Sequence, residues 1–271
     1  MRSTSNPAFR NLPRGNAAYG QNVGFNQSGY GQPGYDQRTP TADRPMTVDD
    51  VVVKTGLSIG VALLTGVLTA IWARVQITGG GSAGPLYGVL IGSMLVGLVI
   101  SLVIIFKQLP SGPLTLAYSA VEGVFLGAIT GVFQVAFGSG IALQALIGTA
   151  GVFVAMLVVY KTGAVKVTPK LTKWIIGATA GAVILMVANL LLSMFGVDMG
   201  IRSGGTIAIL FSLLVIGIAA FNFLLDFDMA DKMIRQGMPA KWAWYAAFGL
   251  MTTLVWLYLE ILRLLSYLQR S

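Results

Sequence analysis

Hydrophobic and polar positions divide the chain into two unequal parts. Residues 1–45 are almost entirely polar and small. From residue 51 onward the chain is built from apolar runs separated by short breaks. The runs fall at about 51–73, 86–106, 114–137, 141–160, 174–195, 206–225 and 244–265, and each approaches the ~20 residues that a bilayer core requires. Their apolar side chains go all round the helix, as lipid-embedded helices require. The breaks hold Gly79-Gly80-Gly81, Pro110-Ser111-Gly112-Pro113, Gly138-Ser139-Gly140 and Gly237-Met238-Pro239, residues that end helices and turn the chain. The pattern predicts an all-α polytopic bundle of seven transmembrane helices over 46–271. Thr47-Val48-Asp49-Asp50 reads as the first N-terminus, with Thr47 as cap and Asp50 closing a capping box.

The first 45 residues contain the near-repeats Tyr19-Gly20-Gln21, Tyr30-Gly31-Gln32 and Gly34-Tyr35. A segment so poor in apolar groups cannot offset its ordering entropy, and a disordered cytoplasmic tail is expected. It has no apolar h-region and does not read as a secretory signal peptide.

Composition narrows the chemistry. Only 10% of the 271 residues are charged, against 55% hydrophobic. The net charge of +8 lies in the tail and the short loops, a pattern that suits anionic headgroups and not nucleic acid. Arg44, Lys54, Lys107, Lys161, Lys166, Lys170, Lys173, Lys232, Arg235 and Lys241 fall on one side of the seven-span topology. The other side's loops carry Arg74 and Arg202, with Arg263 and Arg270 near the chain end. This asymmetry predicts a cytoplasmic N-terminus in a plasma membrane. The chain has no His and no Cys, which excludes imidazole or thiolate metal sites and Ser–His or Cys nucleophiles. No enzyme chemistry and no cofactor are expected.

The informative residues are the polar groups that lipid should exclude. Glu122 lies about eight residues into the third span with no base one turn away. Asp226 ends the sixth span, with Asn222 one turn before it. Asp228 and Asp231 can pair with Lys232 and Arg235 at i+4, as a solvated helix end does. Glu260 lies in the last span, where it either pairs with Arg263 at i+3 or meets a carboxylate from another helix. Asn189 reads as an interhelical hydrogen bond. Gly123, Gly127 and Gly131 form a packing stripe on the third helix, and Gly177 and Gly181 repeat it on the fifth. Two carboxylates sharing a site hold one proton between them, which makes a proton-sensitive latch. Deprotonated, the same oxygens suit Ca²⁺.

Glu122-Gly123 in its apolar helix, Leu225-Asp226-Phe227 near the end of the sixth, and Trp256-Leu257-Tyr258-Leu259-Glu260-Ile261-Leu262-Arg263-Leu264-Leu265 in the last resemble three motifs of the Bax inhibitor family, in the same order. The chain is most similar to its bacterial YccA-like branch. The resemblance implies that six helices wrap a central last helix. It also implies a passive, pH-sensitive calcium leak, with Asp226 and Glu260 as the gate pair and the groups that would meet Ca²⁺, and with Glu122 as a polar group of the pathway. Counted from a turn at 237–239, Asp226 and Glu260 differ in depth by roughly 16 Å. Contact between them therefore requires an interfacial turn at 241–245. The same resemblance allows a second function, a non-transporting regulator that binds a membrane protease or another membrane partner.

Overall fold

The computed structural model describes residues 44–269, apart from 83, 139 and 198. The expected tail, with its tyrosine repeats, lies outside the described residues up to position 43. Seven helices long and apolar enough to cross a membrane follow: α1 Val48–Thr78, α2 Gly84–Lys107, α3 Gly112–Phe137, α4 Gly140–Thr162, α5 Pro169–Met194, α6 Gly205–Arg235 and α7 Ala243–Leu268. A 3-10 turn, Ala240–Trp242, leads into α7. The bundle is a polytopic membrane fold, as the apolar runs predict.

The last helix is the central one. Half of its most apolar window is buried inside the bundle, against 17–33% for the other six. It packs on α6, α1, α4 and α3, while α2 lies mainly on α3, and α5 on α6. Leu250, Leu257 and Leu262 of α7 sit in one core cluster with Phe223 of α6 and Ala145 of α4. Phe153 of α4 meets Phe223 and Phe227 edge-on, at centroid distances of 5.3 and 5.6 Å.

The closest helix pair is α1 against α3, and the glycine stripe makes it so. A methyl group built on Gly123 would collide with the Ala62 carbonyl and Thr65, and one on Gly127 with the Gly66 carbonyl. One on Gly131 would reach Ala73 at 2.6 Å. Lipid tails offer no hydrophobic drive between helices, so this close approach is where packing energy is gained. On α5 the expectation fails. A methyl group built on Gly177 or Gly181 would meet no neighbouring helix within 4 Å, because α5 meets the bundle along another face, through Ile175 and Ala182.

The start of α1 is tied to the α6–α7 connection. Thr47 and Asp50 form the expected capping box, and Arg44 grips the Asp50 carboxylate through two hydrogen bonds of 2.8 and 2.6 Å. Met46 N–H donates to the Met238 carbonyl and Ala240 N–H to the Arg44 carbonyl, both at 2.8 Å. Lys54 Nζ donates to the Ala240 carbonyl and lies 5.5 Å from the centre of the Trp244 ring. Arg44 and Pro45 therefore belong with the bundle. The Arg44 carbonyl and the Met46 N–H supply these backbone partners to the loop.

Candidate functional site

Asp226 projects from α6 toward α7. Thr253 Oγ1 donates to its Oδ2 at 2.6 Å, and Gly249, one turn earlier on α7, leaves room for its other oxygen. The Gly249 site is open because a methyl group there would meet only Met229 Cε at 3.5 Å and Asp226 Oδ1 at 3.9 Å. No Lys or Arg pairs with Asp226 among the described residues. It is a partly buried carboxylate held by one hydroxyl.

Glu260 sits in a different setting. It is 1% exposed and accepts a 2.8 Å hydrogen bond from Ser212 Oγ of α6. Its Oε2 accepts from Arg263 at 3.1 Å and lies 3.7 Å from Arg202 in the α5–α6 connection. The Arg202 carbonyl in turn accepts from Tyr267 Oη at 3.1 Å. Glu260 thus clamps the α5–α6 connection and α6 onto the far end of α7. Paired and hydrogen-bonded on both oxygens, it meets the conditions under which a buried charge is tolerated.

The structure does not bring Asp226 and Glu260 together, and the expected gate pair and shared Ca²⁺ ligands are corrected accordingly. Asp226 binds at Thr253, seven residues before Glu260, a rise of about 10 Å along α7. The turn expected at 241–245 is a 3-10 turn at Ala240–Trp242, and α7 already begins at Ala243. Among the described residues no three acidic side chains converge as a metal cage would, and Asp226 with Thr253 supplies far fewer than the 6–8 oxygens that Ca²⁺ takes.

Glu122 lies on a third interface. It is half-buried and faces α2, where a methyl group on Gly97 would come within 2.9 Å of its Oε1. Tyr118, one turn before it, reaches the Thr252 hydroxyl on α7 at 3.3 Å. The three carboxylates thus meet different partners: Thr253 for Asp226, Ser212 and two arginines for Glu260, and the α2 face at Gly97 for Glu122.

The supporting residues divide in the same way. Asn222 Nδ2 donates to Thr179 of α5 at 2.8 Å and to the Ile218 carbonyl, so it ties α5 to α6 and does not share the partner of Asp226. Asp228 pairs with Lys232 at 2.5 Å and Asp231 with Arg235 at 2.7 Å, as the i+4 spacing predicts. Asn189 is buried, but its Oδ1 has no hydrogen-bond partner among the described residues, against the interhelical bond expected of it. Sequence reasoning missed Thr253, Ser212 and Arg202 as partners. Serine and threonine are common in apolar helices, and only the helix register shows which of them face an acid.

Comparison with curated proteins gives no match. The model of the family described as Bax inhibitor 1 like matches residues 6–270, nearly the whole chain and every helix described above. With seven membrane-spanning helices, the last of them central, and with that match, the chain belongs to the Bax inhibitor 1 like family.

Proposed function

We propose that the protein is a passive, proton-sensitive cation leak, with Ca²⁺ as the permeant ion and Asp226 as the proton-responsive group. The family is membrane-associated and linked to channel or leak activity. The observation that carries the reading is the contrast between two acids on the same helix pair. Glu260 is neutralised by two arginines, whereas Asp226 has one hydroxyl donor and no cation among the described residues.

The mechanism follows from that contrast. With its proton, Asp226 is neutral and α6 packs against Thr253 and Gly249 of α7. Without it, one hydroxyl leaves a charge in the interface poorly compensated, and such a charge draws in water or a cation. Parting of α6 and α7 at this level admits both. The outer clamp at Glu260 keeps its ion pairs meanwhile, so the helices part locally and the bundle holds. The reading therefore gives flux that is low in acid and rises as Asp226 loses its proton.

The test is Ca²⁺ efflux from loaded proteoliposomes across a pH series. Wild type should show a sigmoidal rise with pH. Asp226→Asn, which mimics the protonated acid, should be low and flat, while Asp228→Asn should follow wild type. A pH-dependent rise that survives in Asp226→Asn removes Asp226 from the mechanism. Absence of flux at every pH favours the regulatory alternative.

A further inference from the structure

α1 and α4 stand apart, and between them runs a crevice of about 620 Å³ with α3 and α7 as its back wall. That volume is in the range of small-molecule sites. Its shape follows from residue size. Along α1 the floor positions are Ala62, Gly66 and Ala70, which lie close against Gly123, Gly127 and Gly131 of α3, so the floor is flat and the open space lies on the α4 side. Larger residues form the lips, with Leu63, Val67 and Ile71 on one side and Leu143 and Leu146 on the other, each 41–60% exposed. The crevice opens sideways, toward the apolar surroundings of a membrane-spanning bundle. From Ile59 to Val75 it extends sixteen residues along α1, about 24 Å, most of the ~30 Å hydrocarbon thickness.

The polar groups lie toward one end. Thr130 and Tyr258 hydroxyls bond each other at 2.8 Å on the back wall, which consumes one of their two O–H donors. Beyond them, toward the end of the bundle away from the α6–α7 connection, the lining includes Gln134 and Arg74. Arg74 is the single charged residue among those lining the crevice, it is exposed, and no carboxylate pairs with it among the described residues. An elongated apolar trough that ends at one unneutralised cation matches one kind of molecule in its surroundings: an acyl chain carrying an anionic headgroup.

We infer that the α1–α4 crevice is a binding site for an anionic phospholipid, with one acyl chain along the trough and the headgroup phosphate held by Arg74. The chain supplies the apolar area that the bundle leaves uncovered between α1 and α4. The guanidinium supplies the fork geometry that phosphate oxygens accept. Because the back wall is α7 itself, lipid occupancy bears directly on the packing of the central helix.

The experiment uses the full-length chain, delipidated in detergent and examined by native mass spectrometry with added phosphatidylglycerol, phosphatidylcholine or inorganic phosphate. Wild type should retain one phosphatidylglycerol in about fivefold preference to phosphatidylcholine, the scale of one basic residue at a lipid surface. Arg74→Gln, an exposed change that spares the fold, should abolish the preference. Leu146→Trp, which fills the trough from its lip, should remove both lipid adducts. Three results each overturn the inference: equal retention of the two lipids by wild type, an unchanged preference in Arg74→Gln, or phosphate binding at Arg74 unaffected by Leu146→Trp. A dimer that Leu146→Trp disperses, with no lipid preference, would assign the crevice to a second copy instead.

Discussion

Replacing Glu260 by Gln tests the clamp at the far end of α7 with little change of shape. Glutamine keeps the volume and a carbonyl oxygen for Ser212, so the substitution removes charge and little else. Two arginines then lose their partner. Arg263, at 3.1 Å, loses a charge-assisted hydrogen bond, while Arg202, at 3.7 Å, lies beyond hydrogen-bond reach and loses Coulomb attraction alone. Removing one member of a buried pair costs about 3–5 kcal/mol. Here the arginine side chains keep 20% and 33% exposure and can turn to water, which places the loss at the lower end, about 3 kcal/mol. Arg263→Gln should cost about 1.5 kcal/mol, since Arg202 still faces the acid. Arg202→Gln should cost less than about 1 kcal/mol. The assay is reversible unfolding in mixed micelles by SDS titration, read from tryptophan fluorescence, with the double variants completing the cycle. Glu260→Gln and Arg263→Gln should couple by about 1 kcal/mol or more. A Glu260→Gln protein within about 0.5 kcal/mol of wild type, or losses that merely add, would refute the clamp.

The same unfolding assay separates the two glycine stripes. Gly127→Ala should cost about 1–3 kcal/mol by overpacking against the Gly66 carbonyl, whereas Gly177→Ala should be neutral or slightly stabilising, with open space beside it. Asp50→Ala removes the side-chain half of the α1 capping box and the partner of Arg44 together, for about 1–2 kcal/mol; hydrogen exchange at 48–52 should quicken while the centre of α7 stays protected. Asp231→Asn should cost about 0.5 kcal/mol or less, because its pair with Arg235 is exposed, and it should leave the efflux profile of wild type in place.

The bundle was legible in the sequence because lipid imposes a strict length and polarity on each span. The end of α6 was legible too: the apolar run stops at 225, and the i+4 spacing of Asp228 with Lys232 and Asp231 with Arg235 carries the helix on to Arg235. The Gly123, Gly127 and Gly131 stripe was readable from its spacing, but the same spacing at Gly177 and Gly181 faces nothing, since spacing does not name a neighbour. The acids were legible as anomalies and not as a constellation. Counting residues from the 237–239 turn already separates Asp226 from Glu260, and the structure keeps them apart. What no count supplies is the rotation of α6 and α7, which gives Thr253 to one acid and Ser212 to the other.

The central claim is that the proton on Asp226 sets how α6 sits against its neighbours, and it can be read as a distance. The chain has no cysteine, so Phe221→Cys on α6 and Val53→Cys on α1, both exposed, accept spin labels without background. Electron–electron distances are taken in lipid nanodiscs across a series from about pH 4, near the free carboxyl value, to about pH 8. The account predicts a distribution that lengthens with rising pH in the otherwise native chain and stays at its acid form in Asp226→Asn. An equal lengthening in Asp226→Asn, or none in either protein, would contradict it.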